Sequence, residues 1–526
     1  MHVIEVVIIL LAVVTALAEI TDKVRIPYPI LLVLAGLAIG FVPGLPRLNL
    51  DPDIIFLLFL PPMLYADAWY TSWPDFKAAR RPISLLAIGC VIFTTCAIAW
   101  VAQAFIPGVG WPEAFVLGAI ISPTDTLAAT AATQGLNVPK RVVTVIQGES
   151  LVNDSTGLIA YRFAVAAVVT GAFSLGDATL QFFVVAGGGI LLGVGIGYVF
   201  KWIHQITPDN ATTDTTLTFL TPFVCYLVAD HLGLSAVLAV VSCGLLLSRK
   251  SNEFLSQKAR IQAAATWDTV VFIMNGIIFI LIGLQLPYVL DAIQEFSLGE
   301  LVRYGLIISG AVILIRIIWV YPGAYVPRWL SREIRERETT TNIRTVTIVA
   351  WSGIRGVVSL AAAMALPLTM ANDSPFPNRE LIIFLTFSVI FATLVVQGLT
   401  LRPLIKWLGL KPDNQATRDE EEARLRIASG LIEHIEENYS LIGDDLLPII
   451  KSKYEIRIQR IRKDQSQKKI DDETLHTFLK IQRELIATER RMVLEMRKEG
   501  KISEEVLRKI DYELDLEETR LILENQ

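Results

Sequence analysis

Residues 147–162 read QGESLVNDSTGLIAYR, a polar cluster inside an otherwise apolar run over 141–173. That run is long enough to cross a bilayer as a helix, which needs roughly 20 residues. Glu149, Asn153, Asp154 and Arg162 all fall within it, and charge at membrane depth marks a functional site by default. The rest of the chain puts this cluster in context. Of 526 residues, 53% are hydrophobic and 19% charged, and the mean hydropathy is +0.51, far from the balance of a soluble enzyme. The charges are also unevenly spread. From Lys411 onward there are 22 Lys+Arg and 27 Asp+Glu, so this short tail holds the whole net charge of −5, while the preceding 410 residues balance at 25 of each sign. The reading is a membrane domain over 1–411 and a charged, cytoplasmic helical tail over 412–526.

Apolar segments fall near 3–20, 28–42, 53–71, 82–106, 113–134, 141–173, 179–203, 215–231, 234–248, 264–287, 300–322, 343–368 and 380–408. They predict an all-α polytopic membrane protein with about 13 spans; a transmembrane barrel is excluded because the runs are continuous rather than alternating. With the N-terminus outside, inward loops hold 17 Lys+Arg and outward loops 3. The charge rule therefore places the tail inside and favours an odd number of spans; the expected location is the plasma (inner) membrane. Ala16-Leu17-Ala18 resembles a cleavage site, but no basic stretch precedes the first segment, so it reads as a span. Cys90, Cys96, Cys225 and Cys243 sit in apolar runs without metal-ligand spacing. No cofactor motif and no nucleic-acid-binding tract appears. The five histidines, including His204 and His231, lie near segment ends and read as solvated imidazoles.

Two other segments carry charge beside a helix breaker. ISPTDTLAAT places Pro123 and Asp125 in the fifth, and WSGIRGVVSL places Gly353, Arg355 and Gly356 in the twelfth. Proline removes a backbone donor and glycine permits unwinding, so both helices are predicted to be interrupted. The facing half-helix ends need partners: Asp125 suits exposed N–H groups and Arg355 exposed carbonyls. Two broken helices, one per half of the chain, point to a transporter of two inverted repeats with an ion site at the midplane.

In the sixth segment Ser150 and Asp154 are four apart on one helix face, with Asn153 adjacent. Oxygen ligands of this kind suit a small hard cation. Arg316 in ILIRIIWV needs a buried carboxylate, and Glu149 is the preferred partner. That leaves Asp154 free for a transported ion. The competing arrangement pairs Asp154 with Arg162, two turns on, and would deprive the site of its carboxylate.

At these residues the chain resembles the cation/proton antiporter superfamily, in the sodium/proton exchanger branch that includes bacterial NhaP-type proteins. The resemblance rests on LPPMLY at 60–65, SPTD at 122–125, GESLVND at 148–154, Arg316 in its own span and GIRG at 353–356. It implies 13 spans in two inverted repeats with crossed broken helices, a core and a dimerisation domain, a homodimer, and exchange of Na⁺ or Li⁺ for H⁺. It also implies that Asp154 is the shared cation and proton carboxylate beside Asn153, with Ser150 and Thr124 completing the Na⁺ shell. Asp125 and Arg355 would belong to the helix crossing, and Glu149 with Arg316 to the core ion pair. Similar proteins often carry a carboxylate four residues after the second proline of LPP, where this chain has Ala66. Asp67 follows one residue later, a step of about 100° around the helix, so its access to the site is open. SPTDT also lacks the proline that commonly follows the Asp in relatives, which leaves the unwinding at Thr126 open.

Exclusive occupancy of Asp154 by a proton or a cation would couple the two fluxes. This requires that it change protonation near cytoplasmic pH rather than near the ~3.9 of an exposed aspartate. With Asn153 neutral, the predicted cycle is electroneutral 1:1 exchange by alternating access, serving pH and sodium homeostasis. K⁺/H⁺ exchange is the alternative within transport; a channel or a tail-driven scaffold are the readings outside it. AGGGILLGVGIG at 186–197 suits close helix contact, at a sliding interface or in static packing. In the tail, RDEEEARLR and ETLHTFLKIQRELIATERRMVLEMRK predict amphipathic helices with no partner identifiable from the sequence.

Overall fold

In the computed structural model the apolar segments fold as helices. No β-strand occurs among the described residues, only an isolated bridge between Thr369 and Pro375. Those residues are 3–439 apart from 25–26, 43–54, 134–135, 137, 172–173, 208–209, 294–295, 338–341, 371–373 and 411–414, together with 458, 484–493, 495–496, 499, 510 and 513–519. The chain forms two compact units, 1–413 and 414–526.

The first unit opens with α1 (Val3–Val24) and α2 (Tyr28–Gly40). A π-helical turn, Ile55–Phe59, leads into α3 (Leu60–Tyr70). Pro61 and Pro62 do not break it, because they occupy its first turn, where N–H groups have no intrahelical acceptor. After the short α4 (Trp73–Ala78) and the long α5 (Arg80–Phe105), the fifth segment is indeed interrupted: α6 (Trp111–Ile121) stops and α7 (Leu127–Thr133) restarts. Thr126 lies in the non-helical link even without a second proline. Then follow α8 (Lys140–Thr170), α9 (Leu175–Ile206), α10 (Ala211–His231), α11 (Ala236–Phe254) and α12 (Gln257–Ala292).

Helix α13 (Leu298–Leu330) runs past Pro322, where the apolar segment ended, and past Pro327. Proline 327 leaves the Gly323 carbonyl without its helical donor, and Arg81 Nη2 reaches that oxygen at 3.4 Å. The short α14 (Arg332–Arg337) precedes the second interruption, between α15 (Ile343–Trp351) and α16 (Val357–Met364); α17 (Arg379–Leu408) closes the unit. Among the described residues five helices are long and apolar enough to cross a membrane, namely α5, α12, α13, α17 and the Gly176–Ile206 part of α9. Helix α8 is not one of them, since its length contains Glu149, Asn153, Asp154 and Arg162.

The glycine-rich stretch packs α9 against α11. Gly189, Gly193 and Gly197 face Ser235, Ala239 and Cys243, and a Cβ at 193 would lie 2.1 Å from the Ala239 carbonyl oxygen. Small residues thus bring the two backbones into contact, the usual basis of helix association without a hydrophobic drive. One apolar cluster joins α5, α6, α13, α16 and α17; another joins α3, α10, α11 and α12, with Tyr65 and Phe219 rings 5.4 and 4.6 Å from that of Trp267. His204 corrects an expectation. It is buried, its Nδ1 2.7 Å from Asp214 Oδ1 and its ring 4.9 Å from Phe254, because α10 and α11 fold back over the end of α9. His231 is exposed, as read.

In the second unit α18 (Gln415–Tyr439) covers RDEEEARLR. Of the second tail run, residues 484–493 are helical and 473–483 lie outside the described residues. Arg490 reaches both Asp515 and Glu518, and Ile486 packs with Leu514.

Candidate ion-binding site

The two interruptions meet. Asp125 N–H donates to the Ile354 carbonyl at 2.7 Å, and Arg355 Nε donates to the Ile121 carbonyl at 3.1 Å, so each broken helix fills the other's gap. Each charge serves one kind of half-helix end. The Asp125 carboxylate accepts from Leu127 N–H at the start of α7, 2.8 Å away, and lies against Gly356 at the start of α16. A Cβ at 356 would fall 1.7 Å from Asp125 Oδ2, which is why only glycine fits there. The Arg355 guanidinium takes the carbonyls of Ile121, at the end of α6, and of Gly353, just past α15. Dipole ends without helical partners are thereby satisfied inside the molecule.

Helix α8 runs beside this crossing. Arg316 of α13 holds Glu149 in a two-pronged pair, Nη1 to Oε1 at 2.6 Å and Nη2 to Oε2 at 2.9 Å, with both side chains about 1–2% exposed. Arg316 Nη2 also donates to the Val349 carbonyl at 3.0 Å. Thr124 Oγ1 donates to Glu149 Oε1 at 3.1 Å, and Asn153 Nδ2 donates to Thr124 Oγ1 at 2.8 Å and to the Thr124 carbonyl at 3.2 Å. The Asn153 amide thus clamps the unwound link onto α8, and its Oδ1 is buried without a hydrogen-bond partner.

A cavity of about 40 Å³ opens between α3, the links and α8. That is room for two or three waters, or for one partly hydrated alkali ion. Asp154, Ser150, Thr124 and Asp125 line it, and so does Asp67. Asp67 shares a face of α3 with Leu60 and Met63, spaced three and four residues apart, whereas Ala66 turns into the apolar cluster. Arg162 is elsewhere: it meets Asp230 at 3.2 Å, both side chains about half exposed, and does not reach Asp154. No cation of the described chain lies within salt-bridge distance of the Asp154 carboxylate.

Residues 8–407 match the pattern of the transmembrane sodium/hydrogen exchanger family. The chain belongs to that family. Its members are cation/proton antiporters, and the protein is a membrane transporter rather than an enzyme. An uncharacterized Na⁺/H⁺ exchanger of Mycobacterium bovis is 32% identical over 525 residues, 98% of this chain and 96% of that one. A sodium, potassium, lithium and rubidium/proton antiporter of Bacillus pumilus is 32% identical over 452 residues, 84% of this chain. The alignment spans 66% of the B. pumilus protein. In fold, the chain is similar to the sodium proton antiporter MjNhaP1 of Methanocaldococcus jannaschii, with a TM-score of 0.60, 20% identity, and 77% and 99% of the two chains covered.

Three features of this exchanger were not legible in its motifs. The apolar lining of Phe56, Phe59 and Met63 comes from the π-helical turn and the start of α3, the same side of the cavity that carries Asp67. Ser359 enters the cavity from α16, and its position three residues after Gly356 was the available signal. Asn153 sits behind the cavity rather than in its lining, because its amide is spent on Thr124.

Proposed function

We propose that the protein exchanges a monovalent cation for H⁺ across the plasma membrane, with proton and cation competing for Asp154. The observation that carries this is an aspartate that lines a small cavity with no cation of the described residues beside it, while the nearby arginines are engaged elsewhere. Ser150, the Thr124 oxygens and Asp67 supply further hard oxygen donors for Na⁺ or Li⁺. Asp125 stays with the N–H ends of the half-helices and orders the site without carrying the ion. Glu149 with Arg316 and Arg355 hold the scaffold.

The cycle is electroneutral, one cation for one proton, by alternating access of a site carried on α8 and the two crossed broken helices. An Asp67 that keeps its charge throughout adds the same amount to both legs and leaves this stoichiometry unchanged. The proposed architecture has about 13 spans in two inverted repeats and assembles as a homodimer, with the N-terminus outside and the tail in the cytoplasm. Its role is pH and sodium homeostasis. K⁺ is a second candidate cargo, favoured by the broad alkali range in the name of the B. pumilus relative.

Purified protein in vesicles, given each alkali cation under a pH gradient, tests the reading. Na⁺ or Li⁺ should dissipate the gradient, and an imposed voltage should not change the rate. A rate that follows the voltage overturns 1:1 exchange. Absence of any cation-driven proton movement overturns antiport.

A further inference from the structure

Helix α8 carries a second set of polar contacts, on the side of Asp154 away from Lys140. Ser155 Oγ and Ser235 Oγ are 2.7 Å apart, and both residues are buried. Two turns further along α8, Arg162 Nη2 meets Asp230 Oδ1 at 3.2 Å. Seven residues separate 155 from 162, so both lie on one stripe of the helix. The receiving groups form one corner. Asp230 lies in the last turn of α10, and Ser235 is the N-cap of α11, accepting from Leu238 N–H at 3.3 Å while its own N–H donates to the Val185 carbonyl of α9 at 3.1 Å. Any shift of α8 along α10 and α11 breaks both contacts together.

These contacts differ in kind from the Glu149 and Arg316 pair. That pair is buried on both sides, and parting it would leave two uncompensated charges in an apolar interior. Arg162 and Asp230 are 54% and 50% exposed and have other polar surroundings when apart. Ser235 keeps its capping bond whether or not Ser155 is present. No residue of α10 or α11 lines the Asp154 cavity, which stops short of this corner.

We infer that Ser155 with Ser235, and Arg162 with Asp230, form a breakable latch that closes the α10–α11 side of the Asp154 cavity. Its release exposes the carboxylate to that side of the membrane. The inference rests on the alternating-access antiport proposed above.

Two measurements on the full-length protein test it. In Ser155→Cys/Ser235→Cys, oxidation with copper phenanthroline should join α8 to α11 and stop cation-driven proton flux, and dithiothreitol should restore it. The single variants Ser155→Cys and Ser235→Cys, which keep the four native cysteines, should lose nothing on oxidation. In the second measurement the thiol placed at position 155 is labelled with N-ethylmaleimide in detergent and followed by peptide mass. Arg162→Gln or Asp230→Asn should speed labelling about threefold, the scale set by one exposed ion pair, and the two together should add little more. A cross-linked carrier that still exchanges, or a labelling rate unmoved by either variant, overturns the latch. Should the unsubstituted protein show no flux at all, the antiport reading falls instead, and the labelling rates decide the latch alone.

Discussion

Asp154 and Glu149 are five residues apart on one helix and face opposite fates. Glu149 is neutralised by Arg316 in a buried, two-pronged contact, so removing either partner leaves an uncompensated charge. Glu149→Gln should therefore cost about 3–5 kcal/mol of stability and show as a large drop in thermal unfolding temperature in detergent. Asp154→Asn removes a carboxylate that no cation of the described residues answers. The expected outcome is loss of cation-driven proton flux with unfolding temperature unchanged or raised. Retained flux in that variant would move the ion site elsewhere. Charge inside an apolar run singled out both residues, but only the fold brings Arg316 to Glu149, across 167 residues of chain, and takes Arg162 to Asp230 rather than to Asp154.

At the scale of elements, the crossing depends on a glycine where a side chain has no room. Gly356→Ala would push its methyl into the Asp125 carboxylate, displacing the start of α16 from the start of α7. Overpacking of this kind costs typically about 1–3 kcal/mol, and the expected readout is lost exchange in a protein that still assembles in the membrane. Helix α4 offers a pH-dependent contact outside the spans. Lys140 at the start of α8 sits 2.6 Å from Asp75 and holds its carboxyl below the usual carboxylate range. A depressed folded-state value means that the contact stabilises at neutral pH and fades as the solution is acidified through that value, below about 4. Asp75→Asn should accordingly be slightly less stable than the parent at pH 7, with the difference shrinking as the pH is lowered into the acid range, measured by thermal unfolding across that range.

Over the whole molecule, the charge asymmetry coincides with the division of the chain into two compact units. Residues 1–413 hold every group assigned here to the ion site, and 414–526 form a unit of their own. Removing the residues after 413 should leave cation-driven proton flux in vesicles at the parental level. Flux that vanishes on truncation, in protein that still inserts, would give the tail a part in transport.

The sequence by itself determined what each segment must do with its solvent. Continuous apolar runs forced helices, a proline or glycine beside a charge forced each break, and a carboxylate inside an apolar run marked the candidate site, all through local chemistry that needs no neighbour. What only the tertiary structure decided was phase and partnership. Asp67 reaches the cavity because α3 turns that face toward the links. Arg162 serves Asp230 because α10 passes it at the right height, and His204 is buried because two later helices fold over it. Such outcomes depend on helix rotations and crossings set by the packing of distant segments, and no spacing along the chain encodes those singly.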